Sequence, residues 1–249
     1  LSVPAGYERL HLSHALAVVR SDLAPSLYEA LVGPDGGHTT LLQYAERHPA
    51  SVVLQGRGAV YAVPLPGNAA RVVVRHNRHG GVFAALTRDL FLAPTRAPRE
   101  LALSRALRER GVPTPEILAY AVYPPKGMLQ RSDVCTHEIA PSRDLAAVIL
   151  RQHADSRFGG LELAAALVAS LARAGARHRD LNAKNILVSD HLAYVLDVDR
   201  VTFGERPAAA LEKNLARLGR SLRKWRDVHG AAITEPEIVH LEERSRALL

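Results

Sequence analysis

His178-Arg179-Asp180-Leu181-Asn182-Ala183-Lys184-Asn185-Ile186-Leu187-Val188 is followed, one short turn later, by Val195-Leu196-Asp197-Val198-Asp199. A polar loop carries Asp180, and Asn185 closes it at the mouth of an apolar run, Ile186 to Val188. Ser189-Asp190-His191 reads as a hairpin-like turn into a second apolar run, Ala193 to Val198. Asp180 and Asp197 are 17 residues apart, the length that a loop, a strand, a turn and a second strand require. The hairpin therefore brings Asp197 back beside Asn185.

H-R-D with Asn five positions after the Asp is the catalytic-loop pattern of kinases, and a strand-end carboxylate follows where they carry the Asp of D-F-G. Phosphoryl transfer asks the protein for alignment and charge neutralisation rather than covalent chemistry. Asp180 suits the base that accepts the proton of an attacking hydroxyl. Asn185 and Asp197 offer hard oxygen ligands of the kind Mg²⁺ takes while keeping several waters. The plain alternative makes Asp180 a turn cap. His178 reads as a support of the loop, not as a reacting group.

Upstream, Ser51 to Gln55, Ala59 to Pro64 and Arg71 to Arg75 predict three short strands, the last two joined by a tight turn at Pro66-Gly67-Asn68. Gly56-Arg57-Gly58 lies between the first two, where glycines let backbone N–H groups approach phosphate; a simple hairpin explains it equally well. Tyr61 stands where a third glycine is usual. Val72-Val73-Val74-Arg75 occupies the place of the strand that ends in a phosphate-binding Lys. Arg75 is expected to take that role for ATP, with Glu100 on the following helix as its partner and Glu109 as a rival. A guanidinium grips phosphate or carboxylate bidentately, so the exchange is workable. The alternative is a solvated strand-end Arg. Arg75 to Gly81 forms a basic, glycine-ended stretch, read either as an anion site or as an exposed loop. His76 and His79 lack a third ligand and do not read as a metal pair.

Further helices are expected at about 98–110, 161–174, 207–229 and 235–248, and further strands at 117–122 and 134–139. Residues 1–50 match no pattern, although Ala15, Leu16, Val18, Val19 and Leu23 hint at local apolar structure. The fold class expected is α+β: a single two-lobed domain over 1–249, with a β-rich N-lobe (about 1–140) carrying one helix. A reduced, mainly helical C-lobe (about 141–249) completes it, the boundary falling near Pro141.

Cys135 is the one cysteine of 249 residues, which excludes an intrachain disulfide and favours a reducing compartment. No apolar stretch reaches the roughly 18 residues of a membrane span, and no signal peptide is visible from Leu1 onward. A net charge of +7 favours anionic partners. Lys213, Arg217, Arg220, Arg223, Lys224 and Arg226, with Trp225, gather on the 207–229 helix. They read as a solvated face or as a face toward membrane or glycolipid.

With these residues assembled, the chain resembles the bacterial lipopolysaccharide kinase family, in particular its Kdo (3-deoxy-D-manno-octulosonic acid) kinases. The resemblance rests on Val74-Arg75-His76 running to Arg78-His79-Gly80-Gly81, on Arg99-Glu100, on His178 to Leu187 and on Asp197-Val198-Asp199-Arg200. Asn214 to Lys224 resembles the family's late helix, and Val198 departs from its usual aromatic. The resemblance implies Mg²⁺-dependent transfer of the ATP γ-phosphate to a sugar hydroxyl of the Kdo–lipid A inner core. It implies a cytoplasmic protein, peripheral at the inner membrane, with no nucleic-acid partner. Only about ten residues separate Asp197 from the helix at Pro207, and no A-P-E follows, so a peptide-seating segment is missing. An atypical RIO-like serine/threonine kinase, an aminoglycoside-type phosphotransferase and a non-catalytic pseudokinase remain as alternatives.

Overall fold

The computed structural model describes residues 3–33, 36–54, 59–77, 91–92, 95–123, 129–151 and 153–249. The chain divides into two compact units, Leu1–Leu101 with Glu116–Glu138, and Ala102–Pro115 with Ile139–Leu249. The expected α+β organisation is present, with a β-rich N-terminal sheet and a helical C-terminal part.

The first unit is built on an antiparallel sheet of β1 (Tyr7–Leu12), β2 (Ala15–Arg20), β3 (Val52–Leu54), β4 (Val60–Pro64), β5 (Arg71–His76), β6 (Phe91–Leu92), β7 (Ile117–Tyr123) and β8 (Leu129–His137). The spatial order is β1-β2-β7-β8-β5-β4-β3, and β6 also pairs with β8. Because successive strand side chains point to opposite faces, the apolar residues divide between two cores. Ala17, Val19, Val72, Val74, Ala119, Ala121 and Cys135 share one with Leu27, Leu31, Leu41 and Ala45. Val18, Tyr120 and Val134 share the other with Ala97 and Leu101. The expected turn at Pro66-Gly67-Asn68 forms: Gly67 has φ 59°, and Asn68 Oδ1 accepts from Ala70 N–H at 2.8 Å.

Where the sequence reading places one helix, the structure also has α1 (Ala24–Val32) and α2 (Leu41–Arg47), both from the unassigned first 50 residues. Pro25 lies in the first turn of α1. At α2, Thr40 and Gln43 make a reciprocal capping box. The next two amides also find acceptors: Leu41 N–H meets Tyr123 Oη at 2.8 Å and Leu42 N–H meets Asp133 Oδ2 at 3.0 Å. Asp133 Oδ1 in turn contacts His76 Nδ1 at 2.5 Å. The N–H groups that a helix leaves unpaired at its start are thus tied to β7 and β8. The helix α3 (Ala97–Glu109) belongs to this unit through Leu101.

The second unit packs β9 (Ser142–Asp144), α4 (Leu145–Ile149), α5 (Ala154–Arg173), β10 (Ala176–His178), β11 (Ile186–Ser189), β12 (Ala193–Val195), β13 (Val201–Phe203), α6 (Pro207–His229) and α7 (Glu235–Ala247). Leu161, Leu167, Val168 and Leu171 of α5 are buried against Leu211, Leu215, Leu218 and Leu222 of α6 and Ile238 and Leu241 of α7. Strand β11 lies between β12 and β9, and β10 pairs with β13, all antiparallel. Gly175 makes the exit from α5 possible. It has φ +62°, and a Cβ there would come within 2.8 Å of the Glu205 carbonyl oxygen. The apolar run from Ala193 is shorter as a strand than its sequence implies. Leu196 N–H turns to the Asn185 carbonyl at 2.9 Å, and Asp197 adopts φ 56°, ψ 47°, a left-handed conformation that Asp tolerates.

Candidate functional site

In the second unit the loop between β10 and β11 carries Asp180, and its backbone is held on every side. Asp180 N–H donates to His178 Nδ1 at 3.2 Å. The imidazole proton therefore sits on Nε2, which donates to the Leu196 carbonyl at 3.0 Å. Burial pushes the His178 pKa down, which keeps the ring neutral and Nδ1 free to accept. The Asp180 carbonyl accepts from Asn182 Nδ2 at 3.0 Å and from Asn185 Nδ2 at 2.9 Å. Asn182 Oδ1 caps the following turn by accepting from Lys184 N–H at 2.9 Å. With the peptide fixed, the half-exposed Asp180 carboxylate is presented from a rigid frame, and among the described residues its side-chain partner is Arg217 of α6.

Three polar residues on one stripe of α6 hold this loop. Asn214 bridges it, accepting from His178 N–H at 3.0 Å and donating to the Ala176 carbonyl at 3.0 Å. Arg217 Nη2 donates to Asp180 Oδ1. Ser221 Oγ accepts from Ala183 N–H at 3.1 Å. One turn on, the ring of Trp225 has the Lys184 ammonium 5.6 Å from its centroid. The sequence reading of this helix singled out its cations and missed the grip. The available signal was Asn214 and Ser221, polar residues seven apart on a helix face otherwise carrying Leu211, Leu215, Leu218 and Leu222. Asn214 is fully buried, and a buried carboxamide must be hydrogen-bonded.

Asn185 and Asp197 are joined through the Leu196 N–H bond to the Asn185 carbonyl. Asn185 spends its Nδ2 on Asp180, which orients the amide and leaves Oδ1 as a neutral oxygen donor, while Asp197 is exposed. One amide oxygen and one carboxylate are a hard, incomplete donor set. They fit Mg²⁺, which retains waters and shares phosphate oxygens. No cluster of three or more His, Cys, Asp or Glu side chains able to hold a metal occurs among the described residues.

In the first unit, Arg75 and Glu100 meet. Arg75 Nη2 lies 2.5 Å from Glu100 Oε2, and its Nη1 donates to Asn77 Oδ1 at 2.8 Å. Glu100 and Asn77 are each 3% exposed, so this guanidinium is the counter-charge of a buried carboxylate rather than a solvated strand end. The rival, Glu109, is exposed and lies beside Arg105 at 3.6 Å. His76, the neighbour of Arg75, contacts Asp133. Gly56, Arg57 and Gly58, with Arg78 to Gly81, lie outside the described residues.

Three of the cations gathered on α6 are paired with acids. Lys213 pairs with Glu205 at 2.7 Å, Arg223 with Glu235 at 2.5 Å, and Arg226 with Asp227 at 2.7 Å and Glu235 at 2.6 Å. The pairing acids lie in α7, in the turn before α6 and, for Asp227, on α6 itself. No described helix is long and apolar enough to cross a membrane.

Residues 50–241 match the model of the lipopolysaccharide kinase (Kdo/WaaP) family. A 3-deoxy-D-manno-octulosonic acid kinase of Stenotrophomonas maltophilia is 35% identical over 191 residues, covering 75% of this chain and 74% of that protein. The enzyme of the same description from Vibrio vulnificus is 32% identical over 180 residues, covering 69% and 72%. That from Xanthomonas campestris is 36% identical over 179 residues, covering 69% and 68%. The solved structure of WaaP in complex with acyl carrier protein aligns with 84% of this chain and 93% of that one, at 22% identity and a TM-score of 0.46. By the family match and these relatives, the chain belongs to the lipopolysaccharide kinase (Kdo/WaaP) family.

Proposed function

We propose that this protein is a Kdo kinase, transferring the γ-phosphate of ATP to a hydroxyl of Kdo in the lipopolysaccharide inner core. The observation that carries the reading is the clamped Asp180 loop: a carboxylate on a peptide fixed at its N–H by His178 and at its carbonyl by Asn182 and Asn185. Three relatives named for the same sugar-acid kinase activity, each 32% to 36% identical, support the acceptor.

Asp180 accepts the proton as the sugar oxygen attacks the γ-phosphorus. The new P–O bond forms on the acceptor, the bond to the β-phosphate oxygen breaks, and ADP leaves. Asn185 Oδ1 and the Asp197 carboxylate would hold Mg²⁺, which when bound neutralises charge on the phosphates. Arg75, steadied by Glu100 and Asn77, is assigned to the phosphates of ATP, with Gly56, Arg57 and Gly58 as the phosphate-covering turn. The rigid loop contributes because a base held in one place needs no reorganisation at the moment of transfer.

The acceptor class is lipid-anchored, so the protein is assigned to the cytoplasmic face of the inner membrane as a peripheral visitor, aided by its net charge of +7. The test is purified protein with γ-labelled ATP and Kdo–lipid A. Label in the glycolipid, lost by at least about a hundredfold in Asp180→Ala at unchanged thermal stability, is the expected result. Label in protein alone would favour the RIO-like alternative and overturn the reading.

A further inference from the structure

Asp180, the proposed proton acceptor, is not alone: a guanidinium rests on it. Arg217 Nη2 donates to Asp180 Oδ1, and no other hydrogen-bond partner of Arg217 occurs among the described residues. The Arg217 and Asp180 side chains are 34% and 35% exposed, so a ligand arriving at one reaches the other. Arg217 sits between Asn214 and Ser221, which bond the loop's own backbone at His178 and Ala183. The helix that sets the loop therefore also sets the distance between base and cation.

A guanidinium has five N–H donors in a planar fork, and Asp180 takes one nitrogen. A sugar acid brings a second anion close to whichever of its hydroxyls meets the base. Left bare, the Asp180 carboxylate would repel it. A cation already bonded to the base cancels that repulsion, and its free N–H groups match a carboxylate in shape and charge. Three other cations of the loop and of α6 have partners of their own, Lys184 at the Trp225 ring, Lys213 at Glu205 and Arg223 at Glu235, whereas Arg217 is the one bonded to the base.

We infer that Arg217 is the receptor for the carboxylate of the acceptor sugar, bridging it to Asp180 and selecting a sugar acid over a neutral sugar. The inference rests on the Kdo-kinase reading above and deepens it.

The test compares kcat/KM for Kdo–lipid A with that for the same acceptor carrying its Kdo carboxyl as the methyl ester. The expected wild-type ratio of acid to ester is about a hundredfold or more, in line with a site built to pair a polar group and offered an analogue lacking it. In Arg217→Ala the acid rate falls to near the ester rate, and the ratio collapses below about threefold. Arg217→Lys, which keeps the charge without the fork, gives an intermediate ratio with most of the change in KM, and it decides the matter if the alanine variant does not fold. A wild-type enzyme indifferent to esterification, or a ratio unchanged in either folded variant, overturns the inference while leaving the kinase reading intact. Absence of transfer to either acceptor by the wild-type protein overturns both.

Discussion

Asn214 holds His178 by its backbone: the Asn214 Oδ1 accepts from His178 N–H at 3.0 Å while its Nδ2 donates to the Ala176 carbonyl at 3.0 Å. A buried side chain on α6 thus does for β10 what a neighbouring strand does elsewhere. Replacing Asn214 with Leu strands two buried backbone groups, each costing about 1 to 3 kcal/mol. The expected result in urea unfolding is a loss of about 2 to 6 kcal/mol, together with lower kcat from the loosened loop. A loss confined to a few tenths of a kcal/mol would show that water replaces the carboxamide.

The ring of His178 makes stability depend on pH. Its folded pKa lies below the ordinary value near 6.5 because it is buried. Between those two values the unfolded chain binds a proton that the native ring does not, so stability rises with pH. The native advantage is therefore intact above about pH 6.5 and lost as pH falls toward the lowered folded value. Melting temperatures of wild type and His178→Asn across pH 5 to 8 should show a steeper acid loss in the wild type. Parallel profiles would remove His178 from the account.

Arg75 and Glu100 are expected to be coupled. Arg75→Ala leaves a buried carboxylate without its cation, and the Arg75 side chain is 32% exposed, which softens the cost to about 1 to 3 kcal/mol. Removing both partners costs less than the sum of the single changes, and a double-mutant cycle on urea unfolding measures the difference. If Arg75 also binds ATP phosphates, Arg75→Lys raises KM for ATP at nearly unchanged stability. Additive stability changes would contradict the pairing.

Cys135 is fully buried on β8, and burial pushes its thiol up to about 12. As the only cysteine, it reports on the sheet of the first unit. Iodoacetamide is expected to leave the native protein unlabelled at pH 8 and to label it once in urea, the rate tracking the opening of that sheet. Prompt native labelling would contradict the placement of Cys135.

Much of the second unit was legible because its signals are local. The helices at 207–229 and 235–247 follow Pro207 and the Thr234 cap, and the Asp180, Asn185 and Asp197 spacing marks one hairpin. The pairing of Arg75 with Glu100 was legible for another reason: Val72 to Arg75 stands where the kinase pattern has a strand-end Lys paired with a helix Glu, and Glu100 lies in the first turn of the next helix. Residues 1–50 were not legible. Their strands β1 and β2 alternate weakly, and α2 is seven residues long, announced only by the Thr40 and Gln43 box. The contact of Arg217 with Asp180 was hidden because the two lie 37 positions apart, a pairing no local pattern encodes. The same holds for the acids that neutralise the α6 cations, since Glu235 joins Arg223 only once α7 packs.

Asp180 is the residue proposed to serve phosphate transfer to a sugar acid of the inner core. Mass spectrometry of lipopolysaccharide from cells lacking the gene, complemented with wild type or with Asp180→Asn, tests it most directly. The expected result is one phosphate on Kdo with the wild-type gene and none with Asp180→Asn at equal protein levels. A Kdo phosphate that persists with Asp180→Asn, or one that never depends on the gene, would contradict it.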